Sequence, residues 1–105
     1  MERCLWKAYI KEGYVDEYVK RHDEIWLELK EELKRASICN YSIWINGNEV
    51  YGYYECEISL EYAQKYQAQS KIVDKWNDYM KDILEMKFNP QTGAQQALKE
   101  IFYLK

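Results

Sequence analysis

The chain has one histidine, His22, in the stretch YVKRHDEIW, with Tyr18 four residues before it and Trp26 four residues after it. Side chains four residues apart on a helix are neighbours on one face, so we expect the three rings to form a column. An imidazole has an ordinary pKa of about 6.5 and can give or take a proton at neutral pH. Aromatic rings with hydroxyl or N–H groups at their rims also make the walls of sugar-binding pockets. These residue types indicate acid–base chemistry on a hydroxylated small molecule.

A structural role is the competing interpretation of the same residues. A lone histidine on an apolar helix face is more often a core residue whose ring nitrogens find backbone or hydroxyl partners. Tyr18 and Tyr41 could equally be core residues with satisfied hydroxyls, and Trp76 lies on the inward stripe of a second predicted helix. The residue pattern alone leaves both interpretations open.

The elements that must position these side chains alternate between strands and helices. Residues 3–11, RCLWKAYIK, have the aromatic and partly alternating pattern of a strand. Over residues 15–33 apolar side chains recur at three- and four-residue spacing, which predicts one long amphipathic helix. Residues 39–58 form two β-rich runs separated by Asn-Gly at 46–47, the strongest short-range signal for a hairpin.

A broken second helix follows the hairpin, with Ser59 and Ser70 as candidate N-caps. Residues 88–96, FNPQTGAQQ, contain the one proline and predict a loop, and the last six residues, EIFYLK, predict a final strand. The predicted order is strand, helix, strand, strand, helix, strand. This is the βαββαβ pattern of a ferredoxin-like α+β domain with helices on one face of an antiparallel sheet. We expect residues 1–105 to form one such domain, with a pocket between sheet and helices.

Both faces of the predicted sheet carry apolar side chains. In the hairpin, Tyr41 and Ile43 lie on one face, while Trp44, Tyr51 and Tyr53 lie on the other. A face this apolar is seldom left bare in water. We therefore expect a homodimer in which two copies of the chain pack sheet to sheet.

Composition argues against several classes of protein. With 18 acidic and 15 basic residues and no basic cluster, the chain is not expected to bind nucleic acid. The apolar runs are far shorter than the roughly 20 residues of a membrane span, and the N-terminus lacks the pattern of a signal peptide, so we expect a soluble cytoplasmic protein that binds no membrane. Cys4, Cys39 and Cys56, beside a single histidine, predict buried thiols rather than a disulfide framework or a metal site.

The whole chain resembles the L-rhamnose mutarotase family, through short motifs in the same order and at compatible spacing. The motifs are the opening strand, YVKRHDEIWLEL, NYSIWI, KWNDYM and the terminal FYL. The resemblance implies a ferredoxin-like dimeric α+β barrel that interconverts the α and β anomers of a deoxyhexose, L-rhamnose first, without metal or cofactor. It implies that His22 is the proton donor, and that Tyr18, Tyr41 and Trp76 contact the sugar.

Asn77 departs from the family pattern, which often has a tryptophan pair where this chain has Trp76 followed by asparagine. Asn77 exchanges a stacking face for an amide that donates and accepts hydrogen bonds, and we expect it to contact the sugar. In ring opening the ring oxygen gains a proton and the anomeric hydroxyl loses one. We expect His22 to protonate the ring oxygen, with Tyr18 or Tyr41 orienting hydroxyl groups.

Three other functions are compatible with the sequence. Cofactor-free monooxygenases of polycyclic aromatics also use dimeric ferredoxin-like barrels with His, Trp and Asn in the cavity, and oxygen uptake would favour that class. A sugar-binding module would use His22 only as a hydrogen-bond donor, and would bind sugar without anomer exchange. A purely structural dimeric domain would bind no ligand.

Overall fold

The computed structural model describes residues 1–105 as a three-stranded antiparallel sheet with four helices packed against one face. This confirms the predicted ferredoxin-like α+β class. None of the helices is long and apolar enough to cross a membrane. The elements, with the strands in the spatial order β1-β3-β2, are β1 Glu2–Tyr9, α1 Val15–Asp23, α2 Leu27–Arg35, β2 Ile38–Asn46, β3 Glu49–Cys56, α3 Leu60–Gln69 and α4 Lys71–Met80.

Residues 100–105 form no strand, so the predicted final strand is wrong. Residues 94–98 run instead along the free edge of β1, where the backbone N–H groups of Gln95 and Leu98 donate to carbonyl oxygens of β1 at 2.6 and 2.7 Å. A segment forms a strand only where a neighbouring strand is free to pair with it. The aromatic and β-branched side chains of residues 100–105 favour a strand, but they do not show that residues 94–98 already occupy the edge of β1.

The single long helix predicted over residues 15–33 is wrong at its middle, where the structure has two helices. Glu24 ends α1 with φ −106° and ψ 27°, and Trp26 is extended, with φ −64° and ψ 134°, just before α2. Tyr18 in α1 and Leu29 in α2 are both buried. The break therefore allows each helix to pack a side chain against the sheet. The apolar spacing continues through the break, so periodicity does not reveal it.

The broken second helix is confirmed as α3 and α4, and both predicted N-caps are present. Ser59 Oγ accepts from the backbone N–H of Tyr62 at 3.0 Å, and Ser70 Oγ accepts from that of Val73 at 3.2 Å. Each cap satisfies an N–H group that the first helical turn leaves unpaired. Ser70 thereby ends α3 and begins α4, the helix that carries Trp76.

The predicted hairpin is confirmed as β2 and β3, and β1 pairs with β3 on its other side. Alternate residues of the strands face opposite sides of the sheet. The helices cover the side that we call the inner face, and the other side is the outer face. The inner face includes Cys4, Trp6, Ala8, Val50, Gly52 and Tyr54, and the outer face includes Arg3, Lys7, Trp44, Glu49, Tyr51, Tyr53 and Glu55.

Candidate active site

A cavity of about 650 Å³ lies between the inner face of the sheet and the helices. This volume is within the usual range of small-molecule sites. Most of the lining is hydrophobic, with hydroxyl, amide and imidazole groups among the apolar side chains. The structure brings all five of the sequence-predicted site residues to this one cavity, which is lined by Tyr18, His22, Tyr41, Trp76 and Asn77.

His22 is held in place by its own helix. Its Nδ1 lies 2.9 Å from the backbone oxygen of Tyr18, and its ring stacks on the Tyr18 ring with centroids 4.3 Å apart. A carbonyl oxygen can only accept, so Nδ1 carries a proton and donates it to this bond. In the neutral imidazole, Nε2 then keeps its lone pair, and no protein group binds it. Burial lowers the pKa of His22 below its ordinary value, which favours this neutral form at neutral pH.

Tyr18 is only 4% exposed, yet its hydroxyl forms no hydrogen bond within the protein. Every fully enclosed polar side-chain atom has a partner, so this hydroxyl must keep contact with the open space of the cavity. Burial raises the pKa of Tyr18 above its ordinary value, so the phenol stays protonated at neutral pH. The cavity therefore contains a hydroxyl that is free to bind a ligand.

Trp76 and Asn77 enter the cavity from α4. The Trp76 ring meets the His22 ring edge-on, with centroids 5.4 Å apart, while the Asn77 amide has no hydrogen-bond partner in the protein.

The prediction that Trp26 continues the His22 column is wrong. Because the helix breaks before it, Trp26 packs behind Trp76 at 5.1 Å and stacks on Tyr79 at 5.6 Å, outside the cavity lining.

Tyr41 reaches the cavity through a β-bulge in β2. At this point β2 has one residue more than the facing part of β3, so Asn40 and Tyr41 together stand opposite Tyr54. Asn40 has φ 49°, in the left-handed region that asparagine tolerates better than most residues. The bulge redirects the following side chain, and the Tyr41 ring packs 5.1 Å from that of Tyr54 on the inner face. Burial raises the pKa of the Tyr41 hydroxyl.

Trp6 and Gly52 belong to the site, although the sequence did not predict them. Trp6 lines the cavity, and its Nε1–H donates to the hydroxyl oxygen of Tyr41 at 3.0 Å. A Cβ atom on Gly52 would lie 2.0 Å from the Trp6 ring. Two signals were available: Trp6 alternates with Cys4 and Ala8 on the inward side of its strand, and glycine within a strand often marks a close approach.

The loop after α4 and helix α3 add amide groups to the cavity, and the sequence did not predict these residues either. The only available signal was the unusual density of glutamine in these two segments. The amide residues of the lining from these segments are Gln64, Gln67, Asn89, Gln91, Gln95 and Gln96.

Arg21 ties the helix of His22 to the segment that follows α4. Its guanidinium donates to the Asp82 carboxylate at 2.9 and 3.1 Å, to the backbone oxygen of Tyr79 at 2.8 Å and to Glu17 at 2.8 Å. The nearby guanidinium lowers the pKa of the Asp82 carboxyl. These bonds fix α1 against α4, the two helices that contribute the imidazole and the tryptophan.

The fold and the site together define a class of protein. It is a ferredoxin-like α+β domain whose cavity holds an imidazole with one open nitrogen, surrounded by hydroxyl and amide groups that suit a small polar molecule.

Comparison with known proteins identifies the family. The L-rhamnose mutarotase profile matches residues 3–104. L-rhamnose mutarotases of Listeria monocytogenes and Lachnoclostridium phytofermentans are 40% and 36% identical to this chain, each over 99% of both chains. The crystal structure of the L-rhamnose mutarotase of Formosa agariphila has a TM-score of 0.82 and 31% identity, with 100% of both chains covered. The chain therefore belongs to the L-rhamnose mutarotase family.

A more distant structure shows the same fold. A dimeric ferredoxin-like protein from an uncultured marine organism has a TM-score of 0.57 at 18% identity, covering 98% of this chain and 97% of its own. At this identity the likeness concerns the fold alone.

Proposed function

We propose that this protein is an aldose mutarotase that interconverts the α and β anomers of a deoxyhexose, with L-rhamnose as the main substrate. One observation carries the proposal: in a chain of the L-rhamnose mutarotase family, an imidazole with an unpaired Nε2 lines the same cavity as free hydroxyl and amide groups. No feature of the cavity favours the monooxygenase or the non-catalytic alternatives over this reaction.

His22 is the catalytic residue of this proposal. Its neutral Nε2 takes the proton of the anomeric hydroxyl while the bond between the anomeric carbon and the ring oxygen breaks. The imidazolium then gives the proton to the ring oxygen, which leaves an open-chain aldehyde and restores the neutral imidazole. After rotation about the bond beside the aldehyde, the same steps in reverse close the ring on the other face. Both oxygens are bonded to one carbon, so one nitrogen can serve them in turn.

The remaining site residues bind and orient the sugar in this proposal. The Tyr18 and Tyr41 hydroxyls and the Asn77 amide contact sugar oxygens, and all three have hydrogen-bonding capacity that the protein leaves unused. Trp76 supplies an apolar wall for the C–H groups of the sugar. Because the spontaneous reaction already proceeds in water, one acid–base group with good orientation is sufficient.

We further propose a homodimer that buries the outer face. Trp44 is 68% exposed on this face, and the apolar residues 101–104 are between 60% and 90% exposed. Arg3, also on the outer face, holds this terminal segment through an ion pair with Glu100 and a cation–π contact with Tyr103 at 3.5 Å. A second copy that covers both surfaces would remove two exposed apolar areas from water.

A cytoplasmic location for this single domain is also part of the proposal. A reducing compartment suits three cysteines that are all free thiols. Burial raises the pKa of the Cys4 and Cys56 thiols, which keeps them protonated and unreactive.

NMR magnetisation exchange between the α and β anomers tests the proposed reaction. L-rhamnose, L-fucose and common hexoses are compared with and without protein at neutral pH. We expect exchange to accelerate in proportion to protein concentration, and most strongly for L-rhamnose. No acceleration for any sugar would contradict the proposal; saturable binding would then indicate a sugar-binding module, and oxygen uptake with an aromatic substrate would indicate a monooxygenase.

A further inference from the structure

The hydrogen bond between Trp6 and Tyr41 has a fixed direction. An indole nitrogen can only donate, so the Tyr41 oxygen is the acceptor in the 3.0 Å bond and its own O–H points elsewhere. No protein group accepts that proton, and Tyr41 lines the cavity. The O–H of Tyr41 is therefore free to donate to whatever occupies the cavity.

The position of the Trp6 ring is set by the sheet beneath it. Gly52 stands directly opposite Trp6 on the neighbouring strand, in the middle of β3. A Cβ atom on Gly52 would lie between 2.0 and 2.3 Å from three atoms of the indole, including Nε1. Only glycine lets the ring lie this close to the backbone, and a glycine within a strand otherwise weakens it.

We infer that Trp6, packed on Gly52, is a positioning residue that fixes Tyr41 as a hydrogen-bond donor to an oxygen of the sugar. This inference rests on the proposed mutarotase function and deepens it. Before proton transfer, the cavity then holds one acceptor, the Nε2 of His22, and one donor, the hydroxyl of Tyr41. A sugar is held in the orientation that satisfies both.

A double-mutant cycle tests the coupling between the two residues. Trp6→Phe keeps an aromatic ring on Gly52 but removes the N–H group. Trp44→Phe is the matched control, because the Trp44 indole also donates to a hydroxyl at 3.0 Å, that of Ser42, on the outer face. Anomer exchange and the equilibrium affinity for L-rhamnose are measured for both variants, for Tyr41→Phe, and for Trp6→Phe combined with Tyr41→Phe.

We expect Trp6→Phe to raise KM and Kd for L-rhamnose by about three- to tenfold with a smaller change in kcat, because one hydrogen bond to bound sugar is weakened. Trp44→Phe should match the wild type. Adding Trp6→Phe to Tyr41→Phe should raise KM and Kd no further, because the hydroxyl through which Trp6 acts is already gone.

The indole N–H resonances give a second test that does not depend on the folding of the Trp6 variant. Tyr41→Phe should shift the Trp6 signal and leave the Trp44 signal in place. The inference is overturned if Trp6→Phe behaves like Trp44→Phe, or if its effect is the same with and without the Tyr41 hydroxyl. A wild-type protein that binds L-rhamnose without exchange would refute the proposed reaction instead, and the cycle on Kd would still decide the coupling. A protein that does neither contradicts both.

Discussion

Both faces of the sheet carry tyrosine and tryptophan side chains but use them differently. On the outer face the Tyr51 hydroxyl donates to Glu49 at 2.9 Å, and the Tyr53 hydroxyl donates to Glu55 at 2.8 Å. Each of these phenols is thus paired with a carboxylate two residues away on its own strand. The cavity tyrosines on the inner side have no such acceptors.

This difference explains why aromatic composition alone could not identify the site. Tyr18 and Tyr41 keep donors that no protein group accepts, and His22 keeps an unpaired Nε2, and all three line one cavity. An unpaired polar group in a low-dielectric cavity gains more from a ligand than an exposed one, because water competes less with the ligand. The cavity is therefore suited to bind a polar molecule, and the outer face is suited to pack against another protein surface.

Replacing His22 should give the largest effect. We expect His22→Asn to lower kcat/KM for anomer exchange by about 10²- to 10⁴-fold, since the acid–base group is lost. Thermal unfolding should show an intact fold, because the ring is only half-buried. A variant that folds and retains more than a tenth of the wild-type kcat/KM would show that another group moves the proton.

A matched pair of tyrosine variants compares the two faces directly. Tyr18→Phe should lower kcat/KM about tenfold, because a hydrogen bond to sugar is lost from a buried position in the cavity. Tyr53→Phe removes a hydroxyl that is already paired on the outer face, and should stay within about twofold of the wild type. Equal effects of the two substitutions on anomer exchange would contradict the proposal that the cavity binds the sugar and the outer face does not.

Changing the outer face should affect assembly much more than activity. Trp44→Lys places a charge in the proposed interface, and we expect the dimer to dissociate about 100-fold more readily in sedimentation experiments. The rate of anomer exchange per chain should change by no more than about twofold. An unchanged sedimentation profile would place the interface elsewhere, and a parallel loss of activity would show that the cavity depends on the dimer.

The sequence predicted the features that depend on local spacing. Periods of two and of three to four residues turn Tyr18 and His22, Tyr41 and Trp76 toward one space, whereas Asn77 was predicted through the family resemblance. The caps at Ser59 and Ser70 are equally local, because each serine bonds an N–H group three residues ahead.

The features that the sequence did not predict depend on distant partners. The helix breaks where Trp26 packs on Trp76 and Tyr79, two residues of another helix. The predicted final strand does not form, because residues 94–98 occupy the edge of β1. Trp6 was missed because its position depends on Gly52, a residue of the neighbouring strand. Alternation along β1 does turn Trp6 inward, but periodicity reveals none of these contacts with distant residues.

The state of the His22 imidazole is the most direct test of this account, and a chain with one histidine gives a single pair of ring nitrogen signals. Long-range ¹H–¹⁵N NMR across the pH range should show the neutral form with the proton on Nδ1 at neutral pH. Because burial lowers the pKa of His22, protonation and the loss of anomer exchange should both set in below about pH 6.5 as the pH falls. Adding L-rhamnose should move the Nε2 signal. An imidazolium at neutral pH, a proton on Nε2, or an Nε2 signal that ignores the sugar would contradict the account.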